Sequence, residues 1–67
     1  MNQFLLDAKA KSLGYTNEQM ARLLSIDPAT YYKKKTGRSE FTRKELQKIR
    51  SVLKMSQEEF ENIFFED

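Results

Sequence analysis

The 67-residue chain has no cysteine, histidine or tryptophan, and it has only one proline and two glycines. Disulfide bonds are therefore excluded, and the usual ligands of a structural zinc site are missing. Apolar residues make up 39% of the chain, and a domain of this size keeps only a small stability margin. We expect one small domain, residues 1–67, stabilised by economical packing and supplemented by self-association.

The chain also lacks targeting and catalytic patterns. It has no 18-residue apolar run, and its N-terminus has no basic group before the apolar patch that ends at Asp7, so neither a membrane span nor a signal peptide is predicted. It has no Gly-rich phosphate loop, and the clustered glutamates after Gln57 are predicted on a surface helix without a pocket. We expect a cytoplasmic protein with no enzymatic activity, no cofactor, no metal and no small-molecule substrate. The acidic finish after Phe65 is typical of a natural chain end.

The formal net charge of +2 hides a separation of charge along the chain. Residues 1–56 hold twelve basic and five acidic side chains, a net +7, whereas residues 57–67 hold five acidic side chains and no basic one. Residues 33–50 alone contain eight basic and two acidic side chains. This pattern predicts one face that binds an anion.

Four segments share one helix-start pattern. In each, an apolar residue precedes a capping residue, and a second apolar residue follows four positions after the cap. The predicted N-caps are Thr16, Asp27, Thr42 and Ser56. Pro28 follows Asp27 at the first helical position, and Gly14 ends an apolar segment at the N-terminus. The pattern predicts five helices, at about residues 2–13, 17–24, 28–35, 42–53 and 56–64.

The second and third predicted helices form a corner over about residues 16–36. Only three residues separate these two short helices, which is the architecture of a helix-turn-helix. The small Ala21 lets the third helix approach closely, and Tyr31 is its one firm apolar anchor. Its outer face carries Ala29, Tyr32, Lys33 and Thr36. The first helix carries a broad apolar stripe of Leu5, Leu6, Ala8 and Leu13. The residues predicted to be core are Phe4, Leu5, Leu13, Phe41, Leu46, Ile49, Leu53 and Phe60.

The segment from Tyr15 to Gly37 resembles the helix-turn-helix of the phage Cro and lysogeny-repressor family, the Xre-like class. Residues 37–46 and the ending Ile63-Phe64-Phe65 resemble small repressor-type proteins of phages and prophages of Gram-positive bacteria. The resemblance covers about residues 3–65. It implies an all-α, compact five-helix bundle of the lambda-repressor-like helix-turn-helix type. It also implies a cytoplasmic, nucleoid-associated regulator that binds double-stranded operator DNA as a homodimer and represses transcription by operator occlusion.

Three departures from the family pattern are visible. Ser25 stands where the family usually has glycine, at a position that requires a positive φ. For serine this backbone conformation costs on the order of 1 kcal/mol. Lys35 replaces an apolar residue, which predicts a less firmly seated third helix. Pro28 and Ala29 replace residues that often hydrogen-bond to bases, so Ala29 is limited to apolar contact. The predicted base or groove contacts are Ala29, Thr30, Tyr32 and Lys33.

Phosphate contacts are predicted on both sides of the third helix. Asn17 opens the second helix, where backbone N–H groups and a side-chain amide suit a phosphate. Three consecutive lysines, 33–35, cover about 200° of the helix surface, so they cannot all face one groove. The predicted phosphate contacts are Asn17, Lys34, Lys35, Thr36, Arg38, Ser39, Arg43 and Lys44. The alternative interpretation is a solubilising charge run, with Tyr32 covering a neighbouring helix and Thr42 acting only as a cap.

The C-terminal helix, about residues 56–65, carries four large apolar residues in six positions, more than one face of a short helix can bury. We expect the surplus, Phe65 above all, to form a dimer contact, and the family resemblance also implies pairing through the last helix. The predicted dimer residues are Phe60, Ile63, Phe64 and Phe65. The alternative is a chain end folded over its own core.

Two other functions fit the same residues. One is a helix-turn-helix repurposed for protein contact, such as an antirepressor, because Pro28 and Ala29 are poor base readers and Lys35 replaces an anchor. The other is RNA or non-specific nucleic-acid binding, which fits the charge but makes no use of the corner. Sequence-specific retardation of DNA would separate the first function from operator binding.

Overall fold

Five α-helices make up the computed structural model, which describes residues 1–65. Their bounds are α1 Gln3–Ser12, α2 Asn17–Leu23, α3 Pro28–Lys35, α4 Arg43–Val52 and α5 Gln57–Phe64. No strand occurs in the described residues, so the predicted all-α, five-helix architecture is confirmed. Within the same residues, no helix has both the length and the hydropathy of a membrane-crossing segment.

Local capping explains where the helices begin. Thr16, Thr42 and Ser56 each form both hydrogen bonds of a capping box, the second with a Gln or Glu three positions later. In α4, Thr42 Oγ1 accepts from the Glu45 N–H at 3.1 Å, and the Thr42 N–H donates to Glu45 Oε1 at 2.8 Å. Asp27 caps α3 and Pro28 occupies its first position, as predicted. Since a cap lies outside the helix it starts, α4 and α5 begin one residue later than predicted.

Four turns, at Gly14, Ser25, Gly37 and Lys54, place a residue in the left-handed region that disfavours side chains. Gly14 ends α1 with φ of 84°, and Ser25 lies between α2 and α3 with φ of 58°, so the positive φ predicted for Ser25 is confirmed. Lys54, between α4 and α5, has φ of 52° and was not predicted. Ser25 and Lys54 each cost about 1 kcal/mol relative to glycine, which the packing of the flanking helices must offset.

The core lies where all five helices meet. Its largest fully buried side chains are Tyr31, Leu6, Met20, Ile49 and Leu53. The predicted core positions Phe41, Leu46 and Phe60 are partly buried against them.

The core predicted for α1 is largely wrong. Leu6 and Ala10, one turn apart, face the core, whereas Phe4 is 77% exposed and Leu5, Ala8 and Leu13 are also exposed. The reason is geometric: α1 carries apolar residues around most of its circumference, and a surface helix buries only one stripe.

The first and last described helices, α1 and α5, pack together. The Asn2 N–H donates to the Ile63 carbonyl at 2.6 Å, in the last turn of α5. Phe64 of α5 also makes an edge contact with Phe41, with ring centroids 6.1 Å apart, and Phe41 lies 6.0 Å from Tyr31 of α3. The last helix thus supports α3 from behind through a chain of aromatic rings.

Candidate nucleic-acid interface

The α2–α3 corner holds one helix firmly against another. Met20 and Ala21 of α2 and Tyr31 of α3 are each about 1% exposed, and the turn between them is closed by the Ile26 N–H, which donates to the Ala21 carbonyl at 3.0 Å. Burial, and second the nearby Asp7 carboxylate, raise the pKa of the Tyr31 hydroxyl to about 12. Tyr31 is therefore the neutral core anchor that the sequence predicts, and the opposite side of α3 is left for contact with a ligand.

The outer face of α3 presents Ala29, Tyr32 and Lys33 to solvent, and Tyr32 is 53% exposed. Thr30 is only partly exposed at the edge of this face. The Thr36 hydroxyl donates back to the Tyr32 carbonyl at 2.8 Å, so its proton is engaged within the helix. The predicted base-contact residues thus share one surface, with Tyr32 and Lys33 as its most prominent side chains.

The Lys34 ammonium is engaged within the chain, which corrects the prediction that it contacts a DNA phosphate. Its ammonium pairs with Glu45 Oε1 at 2.6 Å, and the two side chains are 13% and 12% exposed. Burial would raise the pKa of Glu45, but hydrogen bonds from Lys34 and from the Thr42 backbone outweigh it and lower that pKa. Lys34 therefore ties α3 to α4.

Lys35 is buried, with 5% of its side chain exposed, which corrects its predicted phosphate contact. Its ammonium lies 3.0 Å from Asp7 Oδ1 of α1 and 3.1 Å from Asn17 Oδ1 of α2. A buried charge needs such partners. Instead of loosening α3, Lys35 connects its last turn to two other helices.

The loop after α3 and the start of α4 supply exposed cations. Gly37 turns the chain with φ of 90°, and the N–H groups of Arg38 and Ser39 both donate to the Lys33 carbonyl, at 2.9 and 3.2 Å. The side chains of Arg38, Ser39, Arg43 and Lys44 are exposed. The structure thus keeps the four phosphate-contact candidates after α3 accessible.

The positions of Arg43 and Lys44 favour the binding of an anion. They occupy the first turn of α4, where the helix dipole disfavours cations and attracts anions. A phosphate bound at this turn would receive the charge of both side chains and the dipole together. The placement therefore costs stability in the free protein and favours an anionic ligand.

The C-terminal aromatic residues divide between core and surface. Ile63 and Phe64 are buried, Phe60 is partly buried, and Phe65 is 66% exposed. Ile63 and Phe64 therefore pack within their own chain, which corrects their assignment to a dimer contact, and the candidates narrow to Phe60 and Phe65. The Phe60 ring lies between the Arg50 guanidinium, at 5.5 Å, and the Phe65 ring, at 5.6 Å.

A family model described as the antitoxin Xre-like helix-turn-helix domain matches residues 5–54. The chain belongs to this family. The match contains the whole α2–α3 corner and the basic residues that follow it, so the Xre-like class predicted from the sequence is confirmed. Searches of curated proteins and of solved structures found no match. Membership of this helix-turn-helix family supports a DNA-binding regulator of transcription as the general function.

The sequence interpretation did not identify the two acidic residues that form ion pairs with Lys34 and Lys35 of α3. Asp7 and Glu45 lie 28 and 11 positions from their partners Lys35 and Lys34, so no local pattern joins them. One signal was present, because a lysine at a position where the family has an apolar residue requires a partner for its charge.

Proposed function

We propose that this chain is a transcriptional regulator that binds operator double-stranded DNA as a homodimer, as Cro-like repressors of phages and prophages do, and that it represses by occluding the operator. The observation that carries the proposal is the exposed outer face of α3, where Tyr32 and Lys33 stand clear of the core. A helix mounted in this way on a corner fits the major groove.

The proposed contacts follow from which side chains are accessible. Tyr32 and Lys33 lie at the base edges, with Ala29 and Thr30 at the rim of the contact. Phosphates on either side are bound by Asn17 and by the exposed residues of the loop and α4, namely Arg38, Ser39, Arg43 and Lys44. Lys34 and Lys35 are left out of this set, because their ammonium groups are engaged within the chain.

The proposed dimer contact centres on Phe65 and the exposed part of Phe60. Phe65 lines an open groove of about 420 Å³ together with Met1, which is also exposed. Exposed apolar residues that adjoin one another, as Met1 and Phe65 do here, are typical of an interface. To read two half-sites, a two-fold pairing there must set the two α3 helices about 34 Å apart, one turn of DNA.

The test begins with selection of binding sites from random-sequence duplex DNA by the wild-type protein, followed by footprinting. Lys33→Ala should weaken binding to the selected site about 10- to 100-fold, the expected cost of a base contact. Lys54→Asn is the matched control. It removes the same charge at the far end of α4 and tolerates the positive φ of that position, so it should bind within about twofold of wild type.

Recovery of no preferred sequence would contradict the proposed function. Equal losses for Lys33→Ala and Lys54→Asn would contradict the assigned face, since they would reflect net charge alone. Footprints that protect a single half-site would contradict the dimer.

A protein partner is the second candidate function. Two observations favour it: Pro28 and Ala29 offer no side-chain hydrogen bond at the start of α3, and two of its three lysines are engaged internally. The matched family is also described as an antitoxin domain. Under this hypothesis the corner contacts a partner protein, as an antirepressor contacts another regulator. Tight, stoichiometric binding of a partner that survives Lys33→Ala, together with no DNA sequence preference, would favour it.

A further inference from the structure

The Lys35 ammonium is the meeting point of three helices. It comes from the last turn of α3, and it contacts the Asp7 carboxylate of α1 at 3.0 Å and the Asn17 amide of α2 at 3.1 Å. Its side chain is 5% exposed, whereas both partner residues reach the surface. The charge is thus buried directly behind groups that solvent, or a ligand, can reach.

The chemistry of lysine fixes the orientation of the Asn17 amide. An ammonium has three donors and no acceptor, so the atom of Asn17 that faces it must be the oxygen, as the contact to Oδ1 shows. The amide nitrogen then occupies the opposite corner of the planar group, away from the ammonium. Asn17 is therefore held as a donor on an exposed residue, at the first position of α2.

The same ammonium also lies against the exposed aromatic ring of α3. Lys35 Nζ is 5.7 Å from the centroid of the Tyr32 ring and 5.6 Å from that of the buried Tyr31 ring. A cation at this distance from a ring face attracts it. One buried charge thus constrains an amide on α2 and a ring on α3, and both groups belong to the proposed DNA surface.

We propose that Lys35 is a positioning residue for DNA binding, which orients the Asn17 amide with its nitrogen outward toward a phosphate oxygen and steadies the Tyr32 ring at the groove. The inference rests on the proposed DNA-binding function. Lys35 itself does not reach the DNA and acts through these two groups. Asp7 balances its charge, because an unpaired ammonium at this depth would be strongly unfavourable.

The variant that tests this role is Lys35→Met, which keeps the length of the side chain and removes the charge. Because the methionine chain still fills the buried site and the Asp7 side chain, 39% exposed, can be hydrated, the helical circular dichroism should stay close to wild type, while loss of the ion pair should lower thermal stability modestly. Affinity for the selected DNA site should fall about five- to tenfold, the loss expected for one oriented hydrogen bond. Lys34→Met is the matched control, since it removes the neighbouring charge without touching Asn17.

A double-mutant cycle separates positioning from a general structural effect. Asn17→Ala alone should weaken binding, and adding Lys35→Met should then cost less than twofold more, because the group that Lys35 orients is already gone. Lys34→Met should impose the same penalty with or without Asn17→Ala. Additive losses for Lys35→Met and Asn17→Ala would overturn the proposal.

A measurement on the free protein keeps the inference separate from the proposed function. In ¹H–¹⁵N spectra, the side-chain NH₂ of Asn17 should be shifted and rigid in wild type and in Lys34→Met, and it should move toward random-coil values in Lys35→Met. An unchanged Asn17 signal in Lys35→Met would overturn the assigned orientation, whether or not the protein binds DNA. If wild type showed no DNA sequence preference, the proposed function and the DNA-binding role of Lys35 would fail together, while a changed signal would leave the orientation itself standing.

Discussion

The surface around α3 is basic and polar, whereas the surface where α1 meets α5 is largely apolar. Lys33, Arg38, Arg43 and Lys44 are exposed on the first surface. On the second, Phe4 and Leu5 are exposed, and Lys9 and Glu59 neutralise each other at 2.8 Å. The exposed Phe65 lies at its edge, where it lines the same groove as Gly37 and Ser39 of the loop after α3. The two surfaces therefore suit contacts of different physical kinds, one dominated by counterion release and the other by burial of apolar area.

The two surfaces also differ in the contacts that support them. Behind α3, the Tyr31 ring and the Lys34 and Lys35 ammonium groups tie the helix to α1, α2 and α4. Between α1 and α5, the ties are the apolar contact of Leu6 and Ile63 with the core, one backbone hydrogen bond from Asn2 and the Lys9–Glu59 ion pair. The ion pairs behind α3 are the more buried of the two sets.

The largest expected effect is a difference in salt dependence between the two surfaces. With four exposed cations on each protomer's α3 surface, and eight in a dimer, the DNA-binding constant should fall about 10⁴-fold between 50 and 200 mM salt. Self-association through apolar contacts should change by no more than about threefold over the same range. Fluorescence anisotropy and sedimentation equilibrium measure the two quantities. If DNA binding and self-association showed the same salt dependence, the distinction between the basic and the apolar surface would be contradicted.

A substitution on the apolar surface gives the next largest effect. Phe65→Ala should weaken homodimer association about 10- to 100-fold, since a buried aromatic at an interface is a typical hot spot. Because Phe65 is 66% exposed in the single chain, thermal unfolding of the monomer should change little. Sedimentation equilibrium of wild type and variant at tens of micromolar measures this association. A wild-type protein that is monomeric there, with no change in Phe65→Ala, would contradict the dimer.

The smallest expected effect concerns the ion pair behind α3. The pKa of Glu45 is lower in the folded protein than its ordinary value of 4.5, so its carboxylate stabilises the fold above that value, and this contribution is lost as pH falls through the lowered folded pKa. Glu45→Gln keeps the capping box but should lose on the order of 1 kcal/mol at pH 7. Urea unfolding from pH 7 to pH 3 should show a shallower decline for this variant.

The exposed Glu40→Gln is the control for that experiment, because it lies in the same loop region. Its pH profile should follow wild type. A Glu45→Gln profile that also followed wild type would show that the Lys34–Glu45 pair does not link α3 to α4 energetically.

Much of the fold could be predicted because the sequence patterns that specify it each span only a few neighbouring residues. A capping box spans four residues, so Thr16, Thr42 and Ser56 were identified without knowledge of the fold. The corner was predicted from the short gap between two helices, which is four residues in the structure, and from the Ala21 and Tyr31 spacing, and both signals are also local. The outer face of α3 followed from the same helical periodicity.

The remainder depends on contacts between distant parts of the chain. The partners of Lys34 and Lys35 come from α4, α1 and α2, and only the packed structure brings them together. For α1, the sequence offered apolar residues on several sides, and the packing of the other helices selected Leu6 and Ala10 over Leu5 and Ala8. The split of the last helix into buried Phe64 and exposed Phe65 has the same origin.

The hydrogen bond from Asn2 to Ile63 has a consequence for the order of folding. It joins residues 61 positions apart, whereas the Ile26 to Ala21 bond that closes the corner joins residues five apart. Closing the longer loop costs more chain entropy, so the corner should form early and the junction of the two ends late. Conversely, fluctuations of the native state should open the ends first, and the Asn2 amide should exchange with solvent faster than that of Ile26. The α2–α3 corner is thus the early-forming unit of this protein, and its apolar surface is completed last.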